Sequence, residues 1–191
     1  MSSPLASAIT DLSSSDPVMR SAAAIEIYRR GRAPADRAIY IWWTNPEFAA
    51  LFGATPAVTV GLAVKPETFA RIRNANGSPP LVNVPPDQDA EEFELHFPND
   101  ISLDVLTTRD PEGSGAVSKF LAKFGEGVQQ VEFLCTNVDR ATQILKEKFR
   151  VQPIYPETRA GADNTRVNFF LVPLPIAGKV LIELYERTRG L

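Results

Sequence analysis

The sequence predicts an α+β fold: two tandem β-α-β-β-β units preceded by a small helical segment. Three observations predict it. A β-branched apolar run opens each half, Val58-Thr59-Val60-Gly61-Leu62-Ala63-Val64 in one and Val128-Gln129-Gln130-Val131-Glu132-Phe133-Leu134-Cys135 in the other. A stretch with apolar residues at helical spacing follows each run. The halves also end alike: Phe97-Pro98 before a turn and Leu103-Asp104-Val105-Leu106 after it match Val172-Pro173 and Ile182-Glu183-Leu184-Tyr185.

Residues 1–54 read as the helical N-terminal segment. Leu5, Ile9 and Leu12 lie on one helix face. Ser13-Ser14-Ser15-Asp16-Pro17 breaks that helix and starts a second, with Asp16 or Ser15 as cap and Pro17 in the first turn. The second helix is expected to run through Met19, Ala22, Ala23, Ile25 and Tyr28 to Gly31. A third stretch covers Ala35 to Trp43, and Asn45-Pro46-Glu47-Phe48 starts a fourth. Trp42 and Trp43 read as packing residues, with an exposed aromatic pair for partner binding as the alternative. Arg29, Arg30, Arg32 and Arg37 read as a solvated helix end. The phrase Asp16-Pro17-Val18-Met19-Arg20-Ser21-Ala22-Ala23 resembles the helix start of a HEAT-type repeat; it covers one repeat at most, so it marks a fragment and not an array.

Residues 55–110 form the first unit. Lys65-Pro66-Glu67 starts its helix, Phe69 and Ile72 form the buried face, and Asn76-Gly77 ends it. Leu81-Val82-Asn83-Val84 reads as a second strand. Phe93-Glu94-Leu95-His96-Phe97 alternates as a half-buried strand, and Ile101 to Leu106 is the return strand. Residues 111–127 are a linker with one short amphipathic helix between glycines. Residues 128–191 form the second unit. Its helix is capped at Thr136-Asn137-Val138-Asp139 and buries Ala141, Ile144 and Leu145. Val151 to Tyr155 reads as a strand, Pro156 to Thr165 as a loop, Val167 to Val172 as a strand ended by Pro173-Leu174-Pro175, and Lys179 to Tyr185 as the last strand.

Composition narrows the chemistry. At 191 residues, 44% apolar, the chain suits one domain with a real core, or one domain with a small appendage. A net charge of -3 gives no strong pull on nucleic acid or anionic lipid. The single cysteine, Cys135, permits no intrachain disulfide, and no apolar run approaches a membrane span. With no signal-peptide pattern, the expected location is cytoplasmic. The single histidine, His96, excludes a two-histidine metal site in one chain, and no Gly-x-Ser-x-Gly elbow is present.

Two tandem β-α-β-β-β units resemble the vicinal-oxygen-chelate superfamily, which includes glyoxalase, bleomycin-resistance proteins and extradiol dioxygenases. Ser114 to Leu121, Gly125 to Val131, Arg159-Ala160-Gly161-Ala162-Asp163 and Lys179 to Leu184 are most similar to methylmalonyl-CoA epimerase-like domains. The resemblance covers Ser114 to Glu186 well and Pro56 to Thr108 weakly. It implies a glyoxalase-like curved sheet and a divalent metal held by the first and last strands of each unit. By position its ligands would be Thr59, Asp104, Gln130 and Glu183. The superfamily has histidine at the first and third of these; here threonine and glutamine replace both.

Strand period adds Glu132, two positions beyond Gln130 and on the same side. In a cleft of the implied kind Asp104, Glu132 and Glu183 point towards one another. Either a cation neutralises them, in which case the oxygen-rich set favours magnesium, manganese or calcium, or at least one takes up a proton. His96 is a candidate ligand or partner of Asp104, with a surface or hydrogen-bonded histidine as the plainer reading. Arg159, Arg166 and Asn168 are candidate substrate-binding residues at the cleft mouth, with solvated loop arginines as the plainer reading.

Three functions follow. The first is an epimerase, isomerase or lyase acting on a small carboxylate or acyl substrate, with Glu132 and Glu183 as acid/base residues. The second is a non-catalytic small-molecule-binding protein of the bleomycin-resistance kind. The third is an interaction scaffold with a degenerate site. A small-molecule ligand is the expected partner, without nucleic acid or membrane, for a monomer or homodimer.

Overall fold

The computed structural model describes residues 4–174 and 178–188. The expected boundaries at residues 1 and 191 and the strand-ending Pro175 fall outside them. The described residues form two compact units: those up to Gly31 join Thr59–Gln129, and Arg32–Val58 joins those from Gln130 onward.

In the first unit, helix α1 (Pro4–Asp11), the turn at Leu12 and the start of helix α2 (Pro17–Ile39) bury Ile9, Leu12, Ala24 and Ile27. The expected stop at Gly31 does not occur. Helix α2 continues through Gly31 and Pro34 to Ile39 and tightens into a 3-10 turn over Tyr40–Thr44. Gly31 instead permits a close approach. A Cβ there would lie 2.5 Å from Val60 Cγ1, so only glycine lets the helix pass so near strand β1 (Val58–Ala63).

Strand β1 runs parallel to β3 (Ile101–Thr107), which pairs antiparallel with β2 (Glu91–Phe97). The β2–β3 turn places Asn99 and Asp100 at φ +66 and +56, the geometry of a hairpin turn whose two central residues tolerate the left-handed region. Helix α4 (Pro66–Ala75) lays Phe69 on Phe93, rings 4.7 Å apart, after the short helix α3 (Pro46–Ala49) described with the second unit. Helix α5 (Ala116–Phe124) begins at Gly115 and ends at Gly125, φ +74. The expected strand at Leu81–Val84 is not formed. The bond from Val82 N–H to Glu92 O at 3.0 Å remains, and Pro79, Pro80, Pro85 and Pro86 remove donors on both sides.

In the second unit, β4 (Gly127–Leu134) is parallel to β7 (Lys179–Arg187), β7 is antiparallel to β6 (Thr165–Pro173), and β6 pairs with the two-residue β5 (Arg159–Ala160). The expected strand at Val151–Tyr155 is likewise not formed; the bond from Ile154 N–H to Phe169 O at 2.7 Å remains, between Pro153 and Pro156. The expected 156–165 loop contains β5 and a 3-10 turn at Ala162–Asn164.

Helix α6 (Val138–Phe149) buries Ala141, Ile144 and Leu145 as its spacing requires, and Asn137 caps it by accepting from Arg140 N–H. Helix α3 is capped by Asn45, which accepts from Phe48 N–H. The tryptophans are packing residues: Trp42 meets Phe48 and Phe170, and Trp43 meets Phe48, Phe52 and Phe133. The arginine cluster is a set of short-range ion pairs, Arg29 and Arg30 on Glu26 and Arg32 on Asp36. Among the described residues no helix is long and apolar enough to cross a membrane.

Candidate functional site

The parallel register of β4 and β7 sets Gln130 beside Leu181 and Glu132 beside Glu183. Residues two apart on a strand share a face, so Gln130, Glu132, Leu181 and Glu183 project together. The side chains meet: Gln130 Nε2 donates to Glu132 Oε1 at 3.1 Å and to Glu183 Oε2 at 2.7 Å. The two carboxylate oxygens are therefore no farther apart than these two bonds allow. All three residues are buried, at 7%, 8% and 9% exposure. Two acids placed this close, with little water and one shared donor, repel each other when both are ionised. An apolar core would have no use for such a pair.

The other expected binding residues divide by strand parity. Arg159 is in register with Val167, and Val167 with Tyr185, so Arg159 belongs to the Glu183 face. Its guanidinium stacks 4.5 Å above the Tyr155 ring, and Tyr155 packs edge-on to Phe169, the register partner of Glu183.

Arg166 and Asn168 project from the opposite face, against α6. Arg166 donates to Glu186 Oε1 at 2.7 Å, Asp139 Oδ2 at 2.6 Å and Thr158 Oγ1 at 2.7 Å. Glu186 in turn accepts from Val138 N–H at the start of α6. Burial alone would raise the Asp139 carboxyl; the hydrogen bonds from Arg166 and Thr158 and the Arg166 charge outweigh it and hold Asp139 below its ordinary range. Arg166 is held above its ordinary value, first by its bond to Asp139, against some desolvation. Asn168 is fully buried; it donates to Tyr155 O at 3.3 Å and accepts from Phe169 N–H.

A groove of about 530 Å³, lined in part by Asp139, Thr142, Lys146, Thr158 and Arg166, lies on this helix side. The sheet separates it from the paired carboxylates, and Arg166 and Asp139 spend their charges on holding α6. Of Arg159, Arg166 and Asn168, the register puts Arg159 alone on the face of Glu132 and Glu183.

Asp104, His96 and Thr59 belong to the first unit. Asp104 is buried, beside Gly61 on β1 and Glu94 on β2. His96 does not turn to Asp104. It pairs in register with Ser102, its Nδ1 lies 3.2 Å from Ser102 Oγ and its Nε2 3.1 Å from Glu94 Oε2, and its side chain is 67% exposed. Thr59 is half-buried.

The cation set implied by the resemblance can be tested on this geometry. In the second unit the Gln130 NH₂ group, a donor, lies between the two carboxylates where a cation would have to lie. Among the described residues no three His, Cys, Asp or Glu side chains form a metal-ligating group. As arranged, Gln130, Glu132 and Glu183 of the second unit form a hydrogen-bonded trio and not a cation cage.

Cys135 is a buried thiol pushed up to about 12 by burial, unreactive at neutral pH. The contributors missed in the sequence are Tyr155, Phe169, Leu171 and Leu181. The alternation in Val167-Asn168-Phe169-Phe170-Leu171 was the available signal, and it fixes a face only once the register is known.

No protein-family profile and no curated relative matches the sequence. Solved structures do. The methylmalonyl-CoA epimerase of Mycobacterium tuberculosis is 28% identical, with a TM-score of 0.56 over 71% of this chain and 93% of that one. A variant of the Streptomyces coelicolor methylmalonyl-CoA epimerase, in complex with 2-nitronate-propionyl-CoA, is 25% identical, with a TM-score of 0.55 over 71% and 99%. A methylmalonyl-CoA epimerase in complex with methylmalonyl-CoA and ammonium is 25% identical, with a TM-score of 0.54 over 70% and 95%. The chain thus has the glyoxalase-like fold of the vicinal-oxygen-chelate superfamily and is similar to its methylmalonyl-CoA epimerases.

Proposed function

We propose that the chain is a proton-transfer enzyme of the epimerase or isomerase type, acting on an acyl thioester at Glu132 and Glu183. The observation that carries this reading is the Gln130 amide holding two buried, register-paired carboxylates on one sheet face. The epimerase structures similar to this chain bind CoA esters, which supports an acyl-CoA as substrate.

The chemistry needs one carboxylate and one carboxylic acid. Glu183 takes the proton from the carbon next to the thioester carbonyl, and the C–H electron pair moves into the carbonyl as an enolate. Glu132, carrying the proton that the crowded pair shares, gives it to the enolate carbon once the enolate has turned its other face to the pair. The pair ends with its proton exchanged between the two carboxyls, and the carbon with its configuration inverted. Gln130 fixes the spacing. Arg159, set by Tyr155, is placed to accept a carboxylate on the substrate. No step uses a metal.

The test is exchange of the α-proton of methylmalonyl-CoA in deuterium oxide, followed by NMR. Wild-type protein catalyses it, and Glu183→Gln loses it while keeping its circular dichroism and Tm. Saturable binding without exchange, unaffected by Glu183→Gln, would overturn the reading in favour of a non-catalytic binding protein.

A further inference from the structure

The face that carries Glu132 and Glu183 also carries apolar side chains that the fold leaves partly open. Strand parity puts Phe169 and Leu171 of β6 and Leu181 of β7 on that face. The register sets Phe169 beside Glu183, Leu171 beside Leu181, and Leu181 beside Gln130. Leu171 is 47% exposed, and Phe169 and Leu181 are half-buried. On the other face of the same strands Phe170, Val172, Ile182 and Leu184 are all buried. Tyr155, edge-on to Phe169 at 6.1 Å between ring centres, extends the strip sideways. The carboxylates are thus the buried polar end of an open apolar strip. From Phe169 to Leu171 it runs about 7 Å along the strand, longer than a methyl group.

We infer that the strip receives an apolar substituent on the acyl group, so that the substrate is an α-substituted acyl thioester whose side chain is larger than methyl. The inference rests on the proton-transfer reading above. Two neighbouring features support this occupant. The strip is continuous with the reacting pair, so a substituent on the reacting carbon lies along it. Its own members are apolar, with Lys179, two residues from Leu181 on the same face, at one end and Arg159 over Tyr155 at the other. Each methylene covered by Phe169, Leu171 and Leu181 raises kcat/KM about fourfold until the strip is filled.

The experiment measures α-proton exchange for methyl-, ethyl-, butyl- and benzylmalonyl-CoA, with equilibrium binding of the same four thioesters alongside. The expected result is kcat/KM rising about fourfold per methylene from methyl to butyl, with Leu171→Ser flattening the series. Leu171 is exposed enough for this change to leave the fold intact. A flat series in an enzyme that exchanges methylmalonyl-CoA would overturn the strip and leave the proton-transfer reading standing. No exchange with any thioester would overturn that reading, and the binding series then decides the strip alone: chain-length-dependent Kd supports it, uniform Kd overturns it. A homodimer that dissociates on Leu171→Ser would assign the strip to a second copy of the chain and likewise overturn the inference.

Discussion

The two units place a carboxylate at the same point of the same topology and surround it differently. In the first, Asp104 on the last strand faces Gly61 on the first strand, and Glu94 stands on its other side. In the second, Glu183 on the last strand faces Glu132 on the first, with Phe169 on its other side. Two positions earlier on the first strands stand Thr59 and Gln130. One unit thus sets a carboxylate against a bare backbone position. The other sets it against a second carboxylate and adds an amide that bonds both. The repeated fold supplies equivalent positions; the side chains at two of them decide which unit has the paired carboxylates.

The strongest way to break this comparison is to neutralise the two equivalent carboxylates separately. Glu183→Gln should lower α-proton exchange by ~10²–10⁴-fold, the range for losing a positioned acid or base. Asp104→Asn should lower it less than about tenfold on the same scale. Equal losses would show that both units supply reacting groups.

Next in size is the amide. Gln130→Ala removes the amide that bonds Glu132 and Glu183 and should cost about 1.5–3 kcal/mol in urea unfolding, the range for a hydrogen bond to a charged group. Thr59→Ala, at the equivalent half-buried position, should stay within about 0.5 kcal/mol. Adding magnesium or manganese should leave the wild-type Tm unchanged. A rise in Tm that disappears in Glu183→Ala would show a cation displacing the amide.

Gly31→Ala tests the first unit in the same way. The new methyl would lie 2.5 Å from Val60 Cγ1, and overpacking of this kind costs about 1–3 kcal/mol. Retained stability would mean that α2 shifts away from β1 without loss.

How much of this was legible in the sequence follows from what each feature depends on. The strands at Val58, Phe93, Ile101, Val128, Val167 and Lys179 declare themselves by local pattern, and so do the caps at Asn45 and Asn137. The strands expected at Leu81 and Val151 fail because prolines on both sides remove the donors a ladder needs, which weighs more than their β-branched content. Gly31 looks like a helix stop and is instead a point of close approach, a distinction that needs the neighbour Val60. Glu132 joins the candidate pair from period alone, because Gln130 and Glu132 are on one strand. Separating Arg159 from Arg166 and Asn168 required the β5–β6 register, and a shift of one residue would have exchanged their faces. The neighbours of His96 depend on register too: its partner across the hairpin is Ser102, while Asp104 pairs with Glu94.

The smallest expected effect concerns how the equivalent helices begin. Helix α4 starts after Lys65, whose side chain does not cap it and whose N–H donates to Glu126, whereas α6 starts under Asn137, Glu186 and the Arg166–Asp139–Thr158 cluster. Asp139 is held below its ordinary value in the folded chain. A carboxyl depressed on folding stabilises the fold above its unfolded pKa, and that contribution fades as pH falls through the folded value. Arg166→Met removes the cation responsible. The side chains of Arg166 and Asp139 are 39% and 56% exposed, so solvent screening limits the loss at neutral pH to about 1 kcal/mol or less. The difference between wild type and variant should begin to shrink below roughly pH 4, the ordinary carboxylate range, and be lost only once folded wild type also takes up a proton at Asp139, below that range. A difference that stays constant from neutral to acid pH would mean that Arg166 holds α6 by packing its stem and not by charge.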